Sequence, residues 1–110
     1  MNSIPVDRYS YRVMWSEEDQ EHVGLCLEFP SLSWLALSSQ AALKGIQKLV
    51  AEAIADLQRN REPVPPPLSL RTYSGRFVVR IPPSRHRTLV MEASEARISL
   101  NRLVCEKLAD

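Results

Sequence analysis

A chain of 110 residues with net charge +1, 45% apolar and 25% charged side chains has an ordinary globular composition, for one domain or two very small ones. No apolar run approaches the ~18 residues that span a bilayer, and no basic start with an apolar core marks a leader, so a soluble cytoplasmic chain without a membrane role is expected. Its two cysteines, Cys26 and Cys105, fit no CxxC or Cys/His spacing, so two reduced structural thiols are expected, with no metal and no other cofactor. Charge is unevenly spread. Residues 1–62 hold 6 basic against 9 acidic side chains, net −3, and residues 63–110 hold 8 against 4, net +4. An acidic front and a basic back suit two surfaces that meet different partners.

Tyr9, Tyr11, Val13 and Trp15 alternate with Ser10, Arg12 and Met14, the pattern of a half-buried strand. SEEDQE at 16–21 is a polar turn, and HVGLCLE follows with Val23, Leu25 and Leu27 on one face, giving a hairpin with an acidic tip. Phe29-Pro30 ends that strand, because proline cannot donate to a ladder. Trp34 to Leu37 is apolar enough for a short third strand. From Ser38, a plausible N-cap, an amphipathic helix runs to Asn60 with Leu43, Ile46, Val50, Ala53, Ile54 and Leu57 on its apolar stripe. EPVPPPL at 62–68 excludes helix and favours an extended spacer. Leu68 to Tyr73 suits a fourth short strand. SGRFVVRIPP at 74–83 alternates again, Arg76, Val78 and Arg80 against Phe77, Val79 and Ile81, and two prolines end it. A helix from Ser84 to Ala96 follows, with Pro83 in its first turn and His86, Leu89, Val90 and Ala93 on one face. After a turn at Arg97-Ile98, Ser99 caps a second helix striped by Leu100, Leu103, Val104 and Leu108.

The fold class is therefore α+β. A three- to four-stranded sheet with one long helix occupies residues 1–62, a proline-rich linker 63–74, and a strand–helix–helix unit 75–110. The last unit poses a problem. A lone strand with an apolar face forgoes roughly 1.5–3 kcal/mol for each large side chain left in water, and its backbone has no ladder partner. Two-fold symmetry solves this. The strand pairs antiparallel with its copy, four helices cover Phe77, Val79 and Ile81, and Arg76, Val78 and Arg80 face outward as a two-stranded ribbon. Such a ribbon fits the DNA major groove, where arginine reads guanine, and the helix start at Ser99 offers N–H groups to a phosphate.

GRFVVRIPPSRHRTLVMEASEARISLN resembles a ribbon-helix-helix domain of the Arc/MetJ type. The front adds Tyr11, Val13 and Trp15, an acidic turn, VGLCLEFPSLS at 23–33, and Ser38 with Ala42-Leu43 opening a long helix. With the proline linker, the order and spacing are similar to HicB antitoxins of HicA–HicB toxin–antitoxin systems. The resemblance implies a partial RNase H-like front domain that masks a HicA-like, mRNA-cleaving toxin. It also implies a back domain that dimerises and represses its own operon by binding operator DNA, with pairing of dimers into tetramers left open. By the same resemblance, Arg76, Val78 and Arg80 read bases, Ser99, Leu100 and Asn101 meet phosphate, and Phe77, Val79 and Ile81 form the dimer core. The family often has glycine at the inter-helix turn, where this chain has Arg97, at a cost on the order of 1 kcal/mol. It often has acidic residues at the start of the long helix, where this chain has Gln40 and Ala41.

Other readings compete with this one. Arg76 and Arg80 are solvated charges if the strand is a plain edge. His22 reads as a surface histidine, His86 as a packed or interface one, and Glu17, Glu18, Asp19 and Glu21 as a wet, mutually repelling tip. No catalytic residue is assigned, because Glu28, Glu52 and Asp56 are not expected to converge as a two-metal nuclease requires. Glu17, Glu18, Asp19 and Trp34 are the candidate toxin contacts, since an acidic front suits a basic toxin. The alternative function is a stand-alone repressor whose front domain senses a ligand or protein.

Overall fold

The computed structural model describes residues 5–109. They form an α+β protein whose chain divides into two compact units, Met1–Tyr73 and Ser74–Asp110. In the first, β1 (Tyr11–Ser16), β2 (Glu21–Cys26) and β3 (Ser33–Ala36) make an antiparallel sheet in that order. The helix α1 (Ser39–Arg59) lies across one face. Short 3-10 turns stand at Val6–Arg8 and Leu68–Leu70. The hairpin closes through Gln20 at φ 54, whose side chain donates to the Glu17 carbonyl at 2.8 Å.

Register fixes which side chains share a face. Val13, Gly24 and Trp34 line up across the three strands, as do Met14, Val23 and Leu35 one step away. Two glycines let α1 sit close on the first of these rows. A Cβ at Gly24 would lie 2.5 Å from the Ala42 carbonyl oxygen, and one at Gly45 would collide with the Trp34 ring. Tyr9, Cys26, Phe29, Ile46, Val50 and Ile54 form the core, with Tyr9 and Phe29 tilted at 5.6 Å between ring centres. The helix begins where expected, with Ser38 Oγ accepting from the Ala41 N–H at 3.1 Å.

Several expectations change here. Ala42 and Gly45 are buried, whereas Leu43 stays 36% exposed, because close seating favours the smallest side chains on the stripe. The β2 face against the helix carries Gly24 and Cys26; Val23, Leu25 and Leu27 lie on the other face of the sheet. Tyr9 precedes β1 and packs in the core. The fourth strand does not form: Leu68–Leu70 is a 3-10 turn, tied down by side chains described below. Trp34 sits against Gly45 on the helix side.

The second unit holds α2 (Pro83–Ala96) and α3 (Leu100–Leu108). Pro83 opens α2 at a position whose N–H has no helical acceptor to lose. Arg97 ends it in the left-handed region, φ 58 and ψ 41, and the Ile98 N–H reaches back to the Ala93 carbonyl at 3.0 Å. Arginine here carries the steric cost that glycine would avoid. Ala93 and Leu103 are buried, and Lys107 bridges Glu92 at 3.0 Å between the two helices. Among the described residues no helix is long and apolar enough to cross a membrane.

Candidate functional site

Residues 76–82 take neither helix nor strand within the chain. The expected strand is therefore absent from a single copy, and the physical reason is the one its sequence announces: among the described residues no other segment pairs with it. Its side chains keep a two-residue period only from Phe77 to Ile81: Arg76, expected on the outward face, lines the groove that these residues form with α2 and α3, as does Asn101. Val78 is 91% exposed, against 64% for Val79 and 40% for Ile81. Phe77, Val79 and Ile81 line one open groove with Leu89 of α2 and Leu100, Val104 and Leu108 of α3. Val78 and Arg80 do not line it. His86 and Cys105 stand at the same groove; His86, expected to be packed or at an interface, is exposed in the single copy, and the Cys105 thiol is free and exposed there. Cys26, by contrast, is buried and free.

The start of α3 is capped from within. Ser99 Oγ accepts from the Arg102 N–H at 3.0 Å, and the Ser99 carbonyl accepts from the Leu103 N–H at 3.0 Å. The Leu100 and Asn101 N–H groups belong to the turn that every helix leaves without internal acceptors. Asn101 and Ser99 are exposed. The unit is also basic: residues 74–110 carry 7 Lys and Arg against 4 Asp and Glu.

In the first unit, the acidic tip is internally organised. Trp15 Nε1 donates to Glu17 Oε2 at 2.7 Å, and Ser16 Oγ to Asp19 Oδ2 at 2.9 Å. Hydrogen bonds from Trp15 and Gln20 hold the Glu17 carboxyl below its ordinary range. Glu17, Glu18 and Asp19 are all exposed, on the turn between β1 and β2, while Trp34 belongs to the row under α1. The structure thus separates Trp34 from the three acids by role, although all lie in one hairpin-and-edge region.

Glu28, weighed from the sequence only as a possible metal ligand, has a structural role instead. Glu28 accepts from the Ser10 N–H at 3.0 Å, the Ser10 hydroxyl at 3.1 Å and the Leu68 N–H at 2.8 Å. Tyr9 Oη donates to the Pro65 carbonyl at 2.6 Å, and Ser69 Oγ to the Arg8 carbonyl at 2.6 Å. Val64 packs on the core and Pro67 is buried. The proline stretch is extended, as its composition requires, but it is bound along the first unit. Burial works to raise the Glu28 pKa, yet the Leu68 and Ser10 N–H groups outweigh it and hold the carboxyl below its ordinary 4.5. A carboxyl whose pKa falls on folding contributes stability that is whole above the unfolded value and lost as pH drops through the folded one. Glu28→Gln should cost about 1–2 kcal/mol at neutral pH, the worth of charged hydrogen bonds made neutral. Urea titrations should show wild type and variant converging below pH 4.5.

The HicB family model matches residues 61–108. That stretch holds the proline segment, the unpaired residues 76–82 and both C-terminal helices, and the match supports a HicB-like protein. Neither the curated proteins nor the solved structures yield a match.

Proposed function

We propose that this chain is a HicB-like antitoxin whose second unit dimerises through residues 76–81 and binds operator DNA, while its first unit masks a HicA-like ribonuclease toxin. The family match is consistent with a toxin–antitoxin role and with a toxin partner in general. One observation carries the rest. Phe77, Val79 and Ile81 share a groove with α2 and α3, Val78 and Arg80 stand outside it although Arg76 lines it in the single copy, and residues 76–81 have no ladder among the described residues. A second copy, antiparallel, would supply the missing ladder and close the groove, leaving a ribbon-helix-helix dimer with arginines on its outer face. Arg76, Val78 and Arg80 then meet base edges, and the start of α3 at Ser99, Leu100 and Asn101 meets a phosphate. The role is binding and not catalysis. The front unit, acidic at the 16–21 turn, is proposed to contact the toxin there, through Glu17, Glu18 and Asp19 with Trp34 nearby, because complementary charge speeds encounter with a basic protein.

The test uses a DNA duplex from immediately upstream of the gene. Arg80→Ala should weaken its binding by roughly 1–3 kcal/mol, the worth of a base contact. Toxin neutralisation should be unchanged. Loss of both together, or of neither, would contradict the division of labour between the units.

A further inference from the structure

The two borders of the first unit's sheet are built differently. β3 is only four residues long, whereas β1 runs for six. Short length, bulges and proline are the usual devices that stop a sheet from adding a further strand. β1 has none of them: YRVMWS pairs with β2 in unbroken register from Tyr11–Cys26 to Ser16–Glu21, and Arg12 is its one charge. One bond tells which way its main-chain groups point. The Leu27 N–H donates to the Ser10 carbonyl at 2.9 Å, so Ser10 and Leu27 are a hydrogen-bonded pair, and the register puts Arg12, Met14 and Ser16 in the same class. The N–H and C=O groups of Tyr11, Val13 and Trp15 therefore point away from β2. Among the described residues no segment pairs with them.

We infer that β1 is a strand-addition site: an extended segment of a basic partner protein pairs with this border through the main chain of Tyr11, Val13 and Trp15 and sets Lys or Arg side chains against the turn at 16–21. The inference rests on the toxin reading above and says how the toxin is held. In strand addition the main-chain bonds supply affinity, and the flanking side chains choose the partner. Charge makes that choice here. Residues 11–21 hold one basic side chain, Arg12, and four acidic ones, Glu17, Glu18, Asp19 and Glu21, net −3. Such a border attracts a basic strand and repels its own copy. Trp15 supplies the packing surface. It is 50% exposed, its ring stands edge-on to His22 at 5.2 Å between ring centres, and its Nε1 is tied to Glu17. A ring already fixed in this way loses little further freedom when a strand arrives beside it.

Amide hydrogen exchange, read residue by residue by NMR on the full chain alone and bound to the protein encoded beside it, tests the inference. In the free chain Arg12, Met14 and Ser16 should exchange slowly, and Tyr11, Val13 and Trp15 fast. In the complex the last three should slow by at least about tenfold. A partner that touched only side chains would not follow this alternation. Val13→Pro removes an outward N–H and leaves the bonds between β1 and β2 in place. It should weaken the complex by about tenfold or more, as one main-chain bond is lost and the border is blocked. Tyr11, Val13 and Trp15 amides that are already slow in the free chain mean that a terminal segment or a second copy holds the border, and overturn the inference. Amides that stay fast in a tight complex overturn it too, but leave the toxin reading standing. A wild-type chain that does not bind that protein at all overturns both.

Discussion

Gly24→Ala is expected to cost the first unit about 3 kcal/mol, near the upper end for overpacking a filled core. The added methyl would stand 2.5 Å from the Ala42 carbonyl oxygen and close on Ile46, so the backbone of α1 itself has to lift from β2. For a unit of this size that corresponds to a loss of roughly 12–24 °C in melting temperature. Gly45→Ala is the informative comparison. Its methyl meets the Trp34 ring, and that ring is 41% exposed and free to swing outward. It should cost less. Equal losses in thermal melts would mean that the helix does not sit on the sheet at Gly24 as described.

Phe77→Asp should abolish the self-association carried by residues 76–81. A two-fold interface contains the substituted residue twice, and two buried carboxylates facing an apolar core lose at least ~4 kcal/mol, about a thousandfold in dissociation constant. Val78→Asp, one position on, is the control. Val78 is 91% exposed and does not line the groove, so the mass should be unchanged while duplex DNA binding falls through repulsion of phosphate. Analytical ultracentrifugation of both variants decides the matter. If the two behave alike, the inward and outward sides of the segment have been misassigned.

Local signals in the sequence were strong wherever a single residue type settles a backbone problem. Ser38 and Ser99 cap their helices, Pro83 opens one, and Arg97 takes the left-handed turn despite its Cβ. What could not be read were relations between elements. The six-residue stripe of α1 gave the correct side of the helix, but which residues on it sink deepest depends on Gly24 and Gly45, and their effect is visible only once β2 and α1 meet. The β2 face was ambiguous because both of its faces carry apolar side chains: Val23 and Leu25 are as hydrophobic as the face that packs. Leu68 to Tyr73 looked like a strand because alternation does not reveal that Glu28, forty residues away, will capture the Leu68 N–H and turn the chain. Residues 76–81 mark the opposite limit. Their period-two pattern is written in the sequence and kept from Phe77 to Ile81 but not at Arg76, which lines the groove, and a ladder needs a partner that the described residues of one copy do not supply.

The sheet of the first unit ends in β3, whose four residues begin just after Pro30 and stop two residues before α1. A strand arriving from outside would find room there for only a couple of backbone bonds, too few to hold it, which is how natural sheets blunt an unprotected border. At this border, truncation leaves recognition to side chains, whose shape and charge can be specific; β1, six residues long at the opposite border, is not shortened in this way.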